Sequence, residues 1–250
     1  MSDRIIQKLE TLKATSANIN VSNNFTFTKI KKNKLYSLGE EIFSSIVHGI
    51  GVLLSIAALV LLIVFTANRG GDAIDIVGVC IYGFTLILLY TMSTLYHAIA
   101  NEKAKKVFKI FDHSSIYFLI AGTFTPIIFT VLRNTGTLTW VIFGFVWGVA
   151  LFGTLMYAIF PKRFKVLNVL SYAIAGWCAL FLIPALISQL TTINSIASIY
   201  WLLAGGILYT LGIVFYAIKK VRYFHPIWHI FVLAGSICHF FCILVYTLKM

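Results

Sequence analysis

An all-α fold, a seven-transmembrane helical bundle with its N-terminus cytoplasmic and its C-terminus extracytoplasmic, is what this sequence predicts, on three observations. The 250 residues are 60% hydrophobic and only 11% charged, whereas soluble domains carry about 25% charged residues. Seven apolar stretches come close to the roughly 20 residues a helix needs to cross a bilayer. Basic residues crowd into alternate loops, which sets an orientation. Continuous apolar runs, without strand-like alternation, exclude a closed β-barrel.

Residues 1–38 read as a flexible polar cytoplasmic arm, and 39–250 as the seven-span domain. The stretch ATSANINVSNNFTFTKI, residues 14–30, is too rich in Ser, Thr and Asn to build a core. The first forty residues show no apolar segment before a small-residue cleavage site, so no signal peptide is expected. Spans are expected at 42–66, 74–98, 112–132, 138–160, 166–189, 197–218 and 226–248. Residues 1–41 carry seven basic groups, and the loops after the second, fourth and sixth spans carry four, three and three. The other side holds only Arg69, Arg133 and Lys249. Positive charge stays in the cytoplasm, which fixes both termini.

Polar residues then fall into a pattern. The first span opens with GEEIFSSIVHGIG, where Glu40 and Glu41 suit the positive end of the helix dipole and His48 lies about two turns inside. The second span ends in LLYTMSTLYHAIA, with Ser93 and His97 four apart on one face. The third starts with FDHSSIYFLIAGTFTP, which places Asp112 and His113 at its entrance. Pro126 and Pro184 are expected to kink the third and fifth spans. Gly49, Gly51, Gly205 and Gly206 read as points of close helix approach. The seventh span, HPIWHIFVLAGSICHF, sets His225 and His229 one turn apart, and Pro226 is tolerated in its first turn.

Three spans thus bring His97, Asp112, His225 and His229 to one depth near the inner leaflet. Ionisable groups inside a membrane are costly and usually mark a functional site. Three neutral imidazoles with an open fourth position form a familiar catalytic zinc arrangement, and a nearby carboxylate could hold water or orient a ligand. The alternative is that each histidine only hydrogen-bonds across helices. His239 lies ten residues beyond His229, about 15 Å deeper, and is assigned to such an interhelical bond. Cys80, Cys178, Cys238 and Cys242 lie inside spans without CxxC pairing and read as small buried apolar residues. A second metal site at Cys238, Cys242 and His239 is the lesser alternative.

Several functions are excluded. The basic excess is topology, with some attraction to anionic lipid, and no basic and aromatic module accompanies it, so nucleic acid is not a partner. A retinal Schiff base needs a mid-membrane lysine, and the seventh span has only Lys249 at its far end. No span carries a mid-membrane carboxylate for an ion pump, and no internal repeat suggests an inverted-half transporter.

EEIFSSIVH, STLYH, FDHSSIYFLIAGTFTP and HPIWHIFVLAGSICHF together resemble the hemolysin III family, the bacterial branch of the progestin and adipoQ receptor (PAQR) membrane proteins. The resemblance covers roughly 36–248. It implies seven spans with the N-terminus inside, and a zinc ion near the cytoplasmic face held by His97, His225 and His229. Asp112 corresponds to the aspartate that holds the site's water, and Ser93 to the serine of the SxxxH motif. The family's grouping with alkaline ceramidases implies a zinc-dependent hydrolase of lipid amide or ester bonds, with membrane lipids as partners and the cell membrane as its location. The family's name implies a cytolytic, pore-forming protein instead, and a third possibility is a receptor-like membrane protein with structural zinc. This chain departs from the family's EExxNxxTH motif at Ser44 and Val47, which bears on the first span's polar role but leaves the metal set intact.

Overall fold

The computed structural model describes residues 5–15, 36–161, 163 and 165–248, in two compact units, Met1–Leu38 and Gly39–Met250. In the first unit, residues 5–15 form a helix, α1. Most of the Ser/Thr/Asn-rich stretch expected to be flexible lies outside the described residues. The second unit is helical throughout, and the described residues contain no strand. Its elements are α2 (Leu38–Asn68), α3 (Ala73–Ala98), α4 (Glu102–Pro126), α5 (Thr137–Ile159), α6 (Lys165–Trp177), α7 (Ile183–Thr192), α8 (Ala197–Ala217) and α9 (Phe224–Thr247). Seven segments among them are long and apolar enough to cross a membrane, with α4 and its extension as one and α6–α7 as another.

Both prolines mark a change of helix type. After Pro126 the third span continues as a π-helix, Ile127–Leu132, because proline brings no N–H to the α ladder. In the fifth span a 3₁₀ turn, Cys178–Leu182, precedes Pro184. Pro184 thus sits in the first turn of α7, where it is tolerated.

The third span begins a full ten residues before its expected start. Glu102–Phe111, read from the sequence as mostly loop, is helical, and Asp112 lies about three turns inside α4. Two causes are visible. Asn101 caps the helix by accepting from the Lys103 and Ala104 N–H groups at 3.0 and 3.1 Å. Glu, Lys and Ala are also good helix formers, so the lysines that mark a cytoplasmic loop by charge continue the span by propensity.

The opposite end of α3 is held by a capping box. Asp72 accepts from the Ile74 and Asp75 N–H groups, and Asp75 Oδ2 accepts from Asp72 N, all at 3.0 Å. The Asp75 N–H, with Arg133 Nη1 at 2.6 Å from Oδ2, holds the Asp72 carboxyl below its ordinary range.

Between helices, hydrogen bonds supplement packing, since lipid offers no hydrophobic drive for helix association. Tyr90 donates to Ser236 Oγ at 2.7 Å, and the Tyr209 hydroxyl shares that oxygen at 2.8 Å, tying α3 and α8 to α9. Of the four glycines expected at close approaches, only two have one. A Cβ at Gly51 would strike the Tyr90 ring, and one at Gly205 would strike the His239 ring. Gly49 and Gly206 have room for a Cβ, so they are not required by packing.

Candidate metal centre

His97 lies at the C-terminal end of α3, and His225 and His229 occupy successive turns at the start of α9. Their Nε2 atoms form a triangle with edges of 3.0 Å (97–229), 3.1 Å (225–229) and 3.4 Å (97–225). These are the described residues whose ligand atoms come close enough to share a metal. His97 and His229 are buried.

Three atoms in mutual contact cannot all be paired donor to acceptor. His97 Nδ1 lies 2.7 Å from Glu41 Oε2; a carboxylate only accepts, so the His97 proton is on Nδ1 and its Nε2 is a bare lone pair. Whichever of His225 and His229 then carries an Nε2 proton, one edge of the triangle faces lone pair to lone pair or N–H to N–H. A cation that takes all three lone pairs removes the conflict. At Zn–N distances of about 2.0–2.1 Å, tetrahedral ligands stand about 3.3 Å apart, close to the edges observed. The donor set therefore fits zinc.

The groups behind the ligands hold this geometry. Glu41 bridges His97 and Lys105, with Lys105 Nζ 2.9 Å from Oε1. His229 Nδ1 meets His48 Nε2 at 2.8 Å, and the His48 ring packs edge-on against Tyr90. Glu40 Oε1 accepts from Tyr223 N at 2.8 Å, where a left-handed φ of 64° turns the chain into α9. Sequence position alone assigns both glutamates to the helix dipole. Their contacts span 56 residues or more, so local spacing carried no sign of them.

Asp112 is buried, approaches from α4, and lies within electrostatic reach of His97 and His48. Ser93 Oγ is buried beside its carboxylate without a well-formed hydrogen bond. His113, whose sequence position signals no role, points its Nδ1 at Asp112 Oδ2 (3.3 Å) and at the Lys109 carbonyl (3.0 Å). That places the His113 proton on Nδ1. Its ring stacks on Tyr157, nearly parallel at 6°.

A cavity of about 170 Å³ opens beside these groups. Asp112, His113 and His48 line one part of it, and apolar side chains such as Ile116, Phe124 and Leu203 line the rest as far as His239. His239 Nε2 lies 3.3 Å from the Leu202 carbonyl of α8, the interhelical bond expected of it. Cys238 and Cys242 are free thiols.

Fold and site together define a class: a multi-pass membrane protein with three converging histidines inside its helical bundle. The haemolysin-III-related family model matches residues 36–240. The chain belongs to the haemolysin III family, is of the PAQR type, and is a multi-pass protein of the cell membrane. It is 45% identical over 215 residues to the hemolysin-3 homolog of Bacillus subtilis (strain 168), covering 86% of this chain and 98% of that protein. Identity to hemolysin-3 of Bacillus cereus is 44% over 209 residues, 84% and 92% of the two chains. Human monocyte to macrophage differentiation factor is 30% identical over 175 residues, 68% of this chain and 70% of that one.

Proposed function

We propose that this protein is a zinc-dependent hydrolase of lipid amide or ester bonds, working near the cytoplasmic face of the membrane and serving membrane homeostasis. The observation that carries the reading is the Nε2 triangle, which no protonation pattern satisfies without a cation, together with the buried Asp112, which is within electrostatic reach of His97 and lines an apolar cavity. His97, His225 and His229 would hold the zinc and leave its fourth position open. Zinc, when bound, supplies a Lewis acid that polarises a carbonyl and acidifies water. The chain's own residues do the rest. Asp112 carries the negative charge that holds the attacking water and draws its proton. Ser93 Oγ, without another partner, steadies that carboxylate. His113, with its Nδ1–H aimed at Asp112 Oδ2, orients that carboxyl, which then passes the proton drawn from water to the leaving group. The apolar cavity takes the acyl chain and keeps water from it.

Asp112→Asn keeps the side chain's size and removes its charge. The variant should retain zinc by metal analysis and lose lipid hydrolysis by about 10²–10⁴-fold, the range of general acid–base groups. A variant that keeps its zinc and complements a deletion strain like wild type would transfer the assignment to a receptor-like protein with structural zinc.

The site's position relative to the cytoplasm rests on the charge asymmetry of the loops. A C-terminal reporter fusion should read as extracytoplasmic, and a cytoplasmic signal would overturn the proposed orientation.

One observation favours a second reading, the name hemolysin-3 carried by a relative 44% identical to this chain. Seven apolar spans oppose it, because such a chain has no soluble form that could diffuse to a target membrane. Lysis of red cells by the purified protein at sub-stoichiometric ratios to lipid would restore it.

A further inference from the structure

The helix α1 is not absorbed by the proposed site. All eleven of its residues, 5–15, are exposed. Isolated helices shorter than about 12–15 residues are marginal in water, so a helix of this length needs a surface. Its sequence, IIQKLETLKAT, specifies which kind. At 100° per residue, Ile5, Leu9 and Leu12 fall within about 60° of one another, with Ile6 outside that stripe, beyond Lys13. Their exposures of 53–60% leave an apolar face bare to the surroundings. Lys8 and Lys13 flank the stripe on its two sides, while Gln7, Glu10 and Thr11 lie opposite.

We propose that α1 is an interfacial helix, which lies on the surface of the same membrane that holds the seven spans and binds anionic lipid headgroups. An apolar stripe between lysines is the arrangement of helices that lie in the membrane plane. Long lysine side chains bury their stems and raise their charge to the headgroups. Charge selects the leaflet as well as the partner. Residues 1–41 carry seven basic groups, and anionic cytoplasmic lipids attract juxtamembrane basic segments. The tether is long enough, since the 22 residues between α1 and α2 could span about 70 Å extended. A second copy of the chain would bury the stripe too, but a helix-pairing seam does not require lysines on both borders.

The test uses the full-length protein reconstituted in vesicles, with its four native cysteines replaced and a spin label at one position of α1 at a time. In vesicles with anionic phosphatidylglycerol, labels at Ile5, Leu9 and Leu12 should be several-fold more accessible to lipid-soluble oxygen than to a water-soluble nickel chelate. Labels at Gln7 and Thr11 should show the reverse. Purely zwitterionic vesicles, or the Lys8→Gln, Lys13→Gln variant in anionic ones, should reduce the contrast several-fold. Equal aqueous exposure at all five positions in anionic vesicles would overturn the proposal. Dipolar broadening between labels on separate chains would overturn it in favour of pairing. Helical periodicity that ignores lipid charge would overturn the anionic partner.

Discussion

The two ends of α9 place histidines in the same helix and use them differently. At its start, His225 and His229 turn their Nε2 atoms toward His97, while carboxylate and imidazole partners occupy the Nδ1 atoms of His97 and His229. Ten residues on, His239 meets one backbone carbonyl, and its ring edge packs where Gly205 has no side chain. Burial does not separate the two, since His229 and His239 are both buried. The partner of the second nitrogen does. An imidazole whose Nδ1 proton is claimed by a carboxylate, as in His97, presents a bare Nε2 lone pair, and three Nε2 atoms in mutual contact call for a cation. An imidazole that donates to a carbonyl has completed its role as a helix-to-helix bond.

That contrast breaks most readily at the ligands. Replacing both His225 and His229 with Ala should abolish stoichiometric zinc in the purified protein, as read by elemental analysis. Full occupancy in the double variant would show that the cluster is not a metal site.

A smaller effect should follow from Glu41→Gln, which preserves shape but loses the charge that fixes the His97 tautomer. Partners that orient a ligand typically contribute 10–100-fold in metal affinity. A chelator competition should show a loss of that order, and an unchanged affinity would return Glu41 to the helix dipole.

The smallest effect belongs to the other end of α9. His239→Ala should leave zinc content unchanged and lower the melting temperature, with a cost of about 0.5–1.5 kcal/mol for the lost bond to the Leu202 carbonyl. Loss of zinc in this variant would mean that the two ends are not independent.

The sequence by itself determined the seven apolar spans, because burial in lipid demands long runs of apolar residues whatever their neighbours. It also brought His97, His225 and His229 to one level, because span length and loop position fix depth. Tertiary structure decided what composition could not express. The lysine-rich start of α4 looked like a loop, since charge and helix propensity pull in different directions there, and Asn101 settles the matter with two backbone bonds. Glu41, His48 and His113 acquired roles only when α2, α3, α4 and α9 came together. A hydrogen bond between residues 56 or 181 positions apart leaves no periodicity in one chain. Which nitrogen holds a proton is likewise decided by the atom 3 Å away, and only the folded bundle supplies that atom.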